Sequence, residues 1–195
     1  MNTYLLYDPA LNGAYTQLIL TQQYPMHKSL FAGTKDEGLD DVAPYIFQID
    51  DQFGQKVVQK PIIELKAVVF VQAAGTIETV AAHFRPFIYQ KLKGREYFFR
   101  FWDARVLFKF LPTCDKEQIK TFFEDLDSLT IADETNPESA IRYSHDHGRL
   151  QLTKVSLSTV FGDNTAGVPQ AVITSPLTED ESAKPAPKKP RTFLS

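Results

Sequence analysis

A catalytic centre needs nucleophiles, bases or metal ligands that converge, and the stock here is small: four histidines and one cysteine in 195 residues. The densest group is His145-Asp146-His147. Alternate positions of a strand share a face, so the two imidazoles could serve as a pair of metal ligands. The triplet also precedes Gly148 and reads equally as a polar hairpin tip, and no third ligand stands in evident register. Cys114 lies just ahead of a helix start, where the helix N-terminus can lower a thiol pKa; its other reading is a small residue beside a cap. His83, next to Phe84 in an apolar pattern, reads as a packing residue. The chain carries no G-x-S-x-G, Walker or dinucleotide fingerprint. These residues favour binding over catalysis and imply no cofactor. The alternative is a small hydrolase or metal-dependent enzyme using His145 and His147 or Cys114.

Recognition chemistry is richer in Phe98-Phe99-Arg100-Phe101-Trp102-Asp103-Ala104-Arg105. On a strand, Phe99 and Phe101 would face one side, with Phe98 and Arg100 on the other. Asp103 would cap the next helix and pair with Arg100 or Arg105 in a bidentate fork. An arginine here either pins the strand-to-helix corner or meets a partner's carboxylate or carbonyl. The 15 Phe and 8 Tyr are stiff anchors for a core or for an interface, and Trp102 is a further aromatic available to a client.

The elements that must position these groups follow from periodicity and punctuation. Residues 3–7 read as a strand stopped by Asp8-Pro9, and Leu11, Tyr15, Leu18 and Ile19 space a helix over 10–22. Thr34 and Glu37 have capping-box spacing, predicting a short helix that ends before Pro44. A strand over 45–49 follows, 52–65 is ambiguous, and Ala67 to Val71 reads as a strand buried on both faces. Thr76 caps a helix carrying Ile77, Val80, Ala81 and Phe84 that Pro86 ends or kinks. A hairpin joins 87–92 to 96–101 through Lys93-Gly94-Arg95. Asp103 opens a helix that Pro112 terminates; Asp115 and Gln118 box the start of another, with Ile119, Phe122, Phe123 and Leu126 on its inner face. A second hairpin joins 141–144 to 149–157. The expected fold is α/β, a mixed sheet with helices packed on it, followed by a C-terminal hairpin region and a disordered tail. The expected divisions are 1–129, 130–161 and 162–195.

Composition sets the outer limits. With 43% hydrophobic and 23% charged residues, full disorder is excluded, and a single cysteine excludes a disulfide scaffold. No apolar run approaches the roughly 18 residues of a membrane span. A net charge of −3 gives no general attraction to nucleic acid. The opening residues have no basic start and carry Asp8 within what would be a signal peptide's apolar region, so an unprocessed cytoplasmic protein is expected.

Three ordered blocks carry a resemblance. Leu30-Phe31-Ala32-Gly33-Thr34 with Leu39 and Val42-Ala43-Pro44-Tyr45, then Phe99 to Leu107, then Leu111-Pro112-Thr113 with Asp115 to Gln118, resemble the L-F-x-G-T, A-P-Y, F-R-[FY]-[YFW]-D-P-R-V-L and L-P-T blocks of the type VI secretion effector adaptor (chaperone) family. Tyr4-Leu5-Leu6-Tyr7-Asp8 fits that family's opening strand, and the resemblance spans residues 4–129. Ala104 stands where proline is usual, a favourable but dispensable first helical residue. The resemblance implies a non-enzymatic bacterial cytoplasmic protein that binds a type VI secretion effector, keeps it soluble and loads it onto the VgrG spike, with neither nucleic acid nor membrane as partner. It implies Phe31, Gly33, Thr34, Pro44, Tyr45, Arg100, Trp102, Asp103 and Arg105 as motif or partner-binding residues.

Overall fold

The computed structural model describes residues 1–53, 67–136 and 138–160. A sheet with helices packed on it is present, as expected: seven strands in the order β2-β3-β1-β4-β7-β8-β9. These are β1 (Asn2–Tyr7), β2 (His27–Ser29), β3 (Tyr45–Ile49), β4 (Val69–Ala73), β7 (Ser128–Ala132), β8 (Ser139–Asp146) and β9 (Arg149–Ser156). Every pairing is antiparallel, rather than the mixture anticipated. The reason lies in the connections. Between β4 and β7 the chain passes through α3 (Ile77–Ile88), a two-stranded hairpin of β5 (Tyr89–Leu92) and β6 (Arg95–Phe98), α4 (Ala104–Phe110) and α5 (Lys116–Phe122). It therefore re-enters the sheet running the other way instead of closing a single-helix crossover.

The pleat sends alternate residues to two cores. Tyr4 and Leu6 of β1 and Val69, Val71 and Ala73 of β4 join α3, α4 and α5 in the larger one. Leu5, Tyr7, Phe47 and Phe70 join Leu20, Tyr24 and Phe53 in the smaller. Burial on both faces explains the unbroken apolar runs of β1 and β4.

Several elements depart from expectation for local reasons. Gly13, at φ 90°, splits the helix over 10–22 into α1 (Pro9–Asn12) and α2 (Ala14–Gln23). The break resets the helical phase, so Thr16 and Leu20 point inward while Tyr15 and Leu18 are exposed. No helix follows Thr34. Its Oγ1 accepts from Asp36 N–H at 3.2 Å and donates to the Phe31 carbonyl at 2.7 Å, and the Glu37 carboxylate accepts from Gly33 N–H at 3.2 Å. The same side chains that could cap a helix close turns instead. Pro86 neither ends nor breaks α3, which runs on to Ile88; Gln90 Nε2 donates to the Pro86 and Phe87 carbonyls at 3.0 and 3.1 Å and so satisfies its last turn. The first hairpin turns on Lys93-Gly94 alone, both left-handed (φ 50° and 75°), which places Arg95 in the strand and ends β6 at Phe98. Pro112 ends α4 through a 3-10 turn, Leu111–Thr113, and both halves of the Asp115–Gln118 capping box form at 2.9 Å.

The expected boundary at Leu129 falls inside β7, and the β8–β9 hairpin extends the main sheet. The ambiguous 52–65 segment, apart from its first two residues, and the tail from 162 onward lie outside the described residues. Asp133 ties the β7–β8 turn: its carboxylate accepts from Thr135 N–H and Oγ1 at 2.8 and 2.6 Å, Ser139 Oγ at 3.0 Å and Lys154 Nζ at 2.8 Å. The Lys154 ammonium and these hydroxyls hold its carboxyl far below the usual carboxylate range despite its burial.

Two outcomes follow from these contacts. A carboxyl whose folded pKa is depressed contributes stability that is present above its unfolded value, near about 3.9, and lost as pH falls toward the folded one. Lys154→Met should therefore make the fall in melting temperature between about pH 5 and about pH 2 shallower than in the parent protein, measured by thermal unfolding across pH. At Gly148, φ is 84° and a Cβ would lie 2.6 Å from the Lys116 carbonyl oxygen, where α5 abuts the hairpin turn. Gly148→Ala should cost about 3 kcal/mol in chemical denaturation, against about 1 kcal/mol for Gly94→Ala, whose Cβ would meet open space.

Candidate functional site

The motif residues are assembled around one buried carboxylate. Asp8 ends β1 and is 2% exposed. Its Oδ1 accepts from Ala10 N–H at 2.8 Å and caps α1, while Oδ2 accepts from Arg100 Nη2 at 2.5 Å and from Trp102 Nε1 at 2.8 Å. A carboxylate this deeply buried needs such partners, and here they come from 92 and 94 residues away. Arg100 thus pairs with Asp8. Asp103 takes Arg105 instead, in a bidentate fork with Nε at 3.0 Å and Nη2 at 2.8 Å, while its Oδ1 caps α4 through Arg105 N–H at 3.0 Å. Burial raises the Asp103 pKa, but the hydrogen bonds from Arg105 outweigh it and hold the carboxyl below its ordinary value.

The anticipated partition holds, with Phe99 and Phe101 buried and Phe98 and Arg100 partly in solvent, although the strand itself ends at Phe98. Beyond β6 the chain turns, closed by Asp103 N–H on the Arg100 carbonyl at 3.0 Å, and Phe99, Phe101 and Trp102 all point inward. Phe101 stacks on Phe84 with centroids 4.8 Å apart. Trp102, expected to be available to a client, is buried; its ring meets Phe98 edge-on at 5.5 Å and Phe31 at 6.5 Å.

Phe31 brings the first block to the same place. Leu30 N–H donates to the Pro44 carbonyl at 2.8 Å, joining the Leu30–Thr34 and Ala43–Tyr45 segments, and Tyr45 stacks on Phe47 at 5.9 Å. Gly33, at φ 76°, allows the turn that places Thr34. The 34–36 turn then grips the β5–β6 hairpin: Tyr89 Oη donates to Asp36 at 2.6 Å, Lys35 Nζ sits 4.4 Å from the Tyr89 ring centroid, and Lys35 pairs with Glu96. Burial, with Asp36 beside it, raises the Tyr89 pKa. What faces outward is different in kind. Tyr97 and Phe98 on β6 and Phe108 on α4 are each nearly half exposed, and the Arg100 and Arg105 side chains reach solvent while their carboxylate partners lie behind them.

The chemistry-bearing residues do not converge in the same way. The Cys114 thiol is pushed up to about 12 by burial and by Asp115, the reverse of the lowering anticipated at a helix start, and its Sγ lies 3.6 Å from the Phe110 carbonyl oxygen. His145 packs against Phe123 at 5.6 Å, whereas His147 sits in the turn at φ 49° and is almost wholly exposed. The expected shared strand face is therefore not formed, because the strand ends at Asp146. Among the described residues no three metal-ligating side chains cluster. His83 packs on Phe84 and Phe87, its Nε2 3.0 Å from the Phe122 carbonyl, as its apolar setting suggested.

The geometry defines a class: a helix-packed antiparallel sheet whose amino-terminal strand, first loop and helix-start motif are locked together beneath a protruding aromatic hairpin. The domain of unknown function DUF4123 matches residues 3–121, more than half of the chain, and the protein belongs to this family, which is associated with type VI secretion. No curated protein and no solved structure matches.

Asp8→Asn leaves Arg100 without its counter-charge and should lower stability by about 2 kcal/mol, a buried-pair cost discounted for the part of Arg100 in solvent. Arg105→Ala removes a more exposed pair and should cost less than Asp8→Asn. Urea unfolding of both variants separates them; a larger loss at Arg105 would relocate the pin.

Proposed function

We propose that this protein is a non-enzymatic cytoplasmic adaptor that binds a type VI secretion effector, keeps it soluble and delivers it to the VgrG spike. The observation that carries this reading is the β5–β6 hairpin: its base is gripped by the motif turn through Tyr89, Asp36, Lys35 and Glu96 and by Phe98 packed on Phe31 and Trp102, while Tyr97 stands outward and the free side of Phe98 reaches solvent. A held hairpin presents aromatic anchors at low ordering cost, which suits capture of apolar segments of a client. Family membership supports the partner class. Arg100 and Arg105 flank the hairpin's return and add donors for a client's carbonyls or carboxylates.

Co-expression with the effector encoded beside it should yield a soluble complex that co-purifies. Tyr97→Ala combined with Phe108→Ala should reduce the recovered effector at least tenfold, in line with the loss of about 1.4 kcal/mol or more from truncated aromatic anchors, with melting temperature unchanged within about 2 °C. Full recovery of effector with this double variant would remove the hairpin from the interface, and absence of any complex with neighbouring effector or spike proteins would refute the adaptor reading.

A further inference from the structure

The face of β7, β8 and β9 turned away from α3, α4 and α5 has a composition unlike the rest of the sheet. Register places Thr130, Arg142 and Thr153 side by side on adjacent strands, and Ser144 beside Gln151 in the next row, continued by Ser128 and Gln72. Alternation puts all of these on the side of the smaller core, where Val160 of α6 (Leu157–Val160) packs with Ala140 and Val155 at one end. The row is thus hydroxyl and amide groups around one arginine. Ser128 Oγ donates to Gln72 Oε1 at 2.9 Å, and Ser144, Gln151, Thr153 and Arg142 are half-buried, with part of each surface in solvent.

Arg142 differs from the two arginines of the motif corner. Arg100 and Arg105 each hold a carboxylate, whereas Arg142 makes no ion pair among the described residues, and its Nε is buried without an acceptor. Burial lowers its pKa below the usual arginine value, with no neighbouring acid among the described residues opposing the shift. A guanidinium cannot shed its charge at neutral pH, so it remains a cation with no counter-ion among the described residues, in a setting partly screened from water. Planar bidentate donation matches a carboxylate, and the half-buried Thr153 hydroxyl beside it can donate to the same group.

We infer that this sheet face is a second contact surface, taking a carboxylate-bearing acidic segment of a protein partner whose Asp or Glu side chain pairs with Arg142 beside Thr153, Thr130 on the other flank being buried. In the adaptor setting the partner is the client, and that part of the inference rests on the proposed function; the face and its chemistry do not. It lies on the opposite side of the sheet from the core beneath the hairpin, so one client could engage both.

The test uses the full-length chain and a fluorescein-labelled decapeptide alternating Glu and Thr, with a Gln-Thr peptide as control. Anisotropy should show the Glu peptide binding and the Gln peptide not, with binding weakened by salt. Arg142→Gln should lose at least tenfold in affinity and Arg142→Lys an intermediate amount, while Arg149→Gln at the hairpin tip stays as the parent. Melting temperature should be unchanged or higher in Arg142→Gln, because a half-buried unpaired charge is removed. Equal peptide binding by Arg142→Gln, or a marked fall in its melting temperature, would overturn the inference. A tenfold gain in peptide affinity on deleting residues 175–195 would also overturn it, assigning the face to the chain's own Glu179-Asp180-Glu181. With the co-expressed effector, capture by parent and Arg142→Gln alike would sink this surface and leave the adaptor reading standing. No capture by the parent would sink the adaptor reading and leave the peptide result to decide the surface.

Discussion

A carboxylate buried at the end of the first strand must be neutralised, and the way Asp8 meets that demand organises the rest of the molecule. One oxygen caps α1 and the other receives Arg100 and Trp102. Leaving such a group unpaired costs several kcal/mol, so the segment from Phe99 to Asp103 is drawn onto the strand end. Trp102, fixed there, packs against Phe31 and Phe98, and through them the first loop and the hairpin take their places. The motif blocks are therefore one structural unit formed from distant pieces of chain, rather than a row of independent contacts.

That unit separates what is pinned from what is presented. Arg100 and Asp103, which look available for recognition in the linear sequence, are engaged within the fold; of the unit's aromatics Tyr97 and Phe108 are left outward, and Phe98 offers only the side not packed on Phe31, Tyr89 and Trp102. The excess of phenylalanine accordingly has two roles. Phe84, Phe99, Phe101 and Phe122 form a contiguous aromatic core under α3 and α5, and the hairpin displays a smaller set above it.

Much of this was legible locally. The Asp115–Gln118 box, the Thr76 and Asp103 caps and the buried runs of β1 and β4 depend on short-range patterns, and each forms. The failures have a common origin in groups whose partners are remote or whose phase is reset. Asp8 reads as a strand stop because nothing nearby reveals Arg100. Thr34 and Glu37 satisfy a capping pattern equally well by closing turns, and Tyr15 and Leu18 lost their inward phase when Gly13 took a left-handed conformation. Arg142 gave no signal at all, since its isolation appears only when three strands are laid side by side.

The dependence of the motif unit on Asp8 is tested most directly by a double-mutant cycle on folding stability with Asp8→Ala and Arg100→Met, measured by urea denaturation. Residues joined in one buried network couple by about 0.5–3 kcal/mol, and a coupling of about 1.5 kcal/mol or more is predicted here. Additive losses, with a coupling near zero, would contradict the central role of the Asp8 carboxylate.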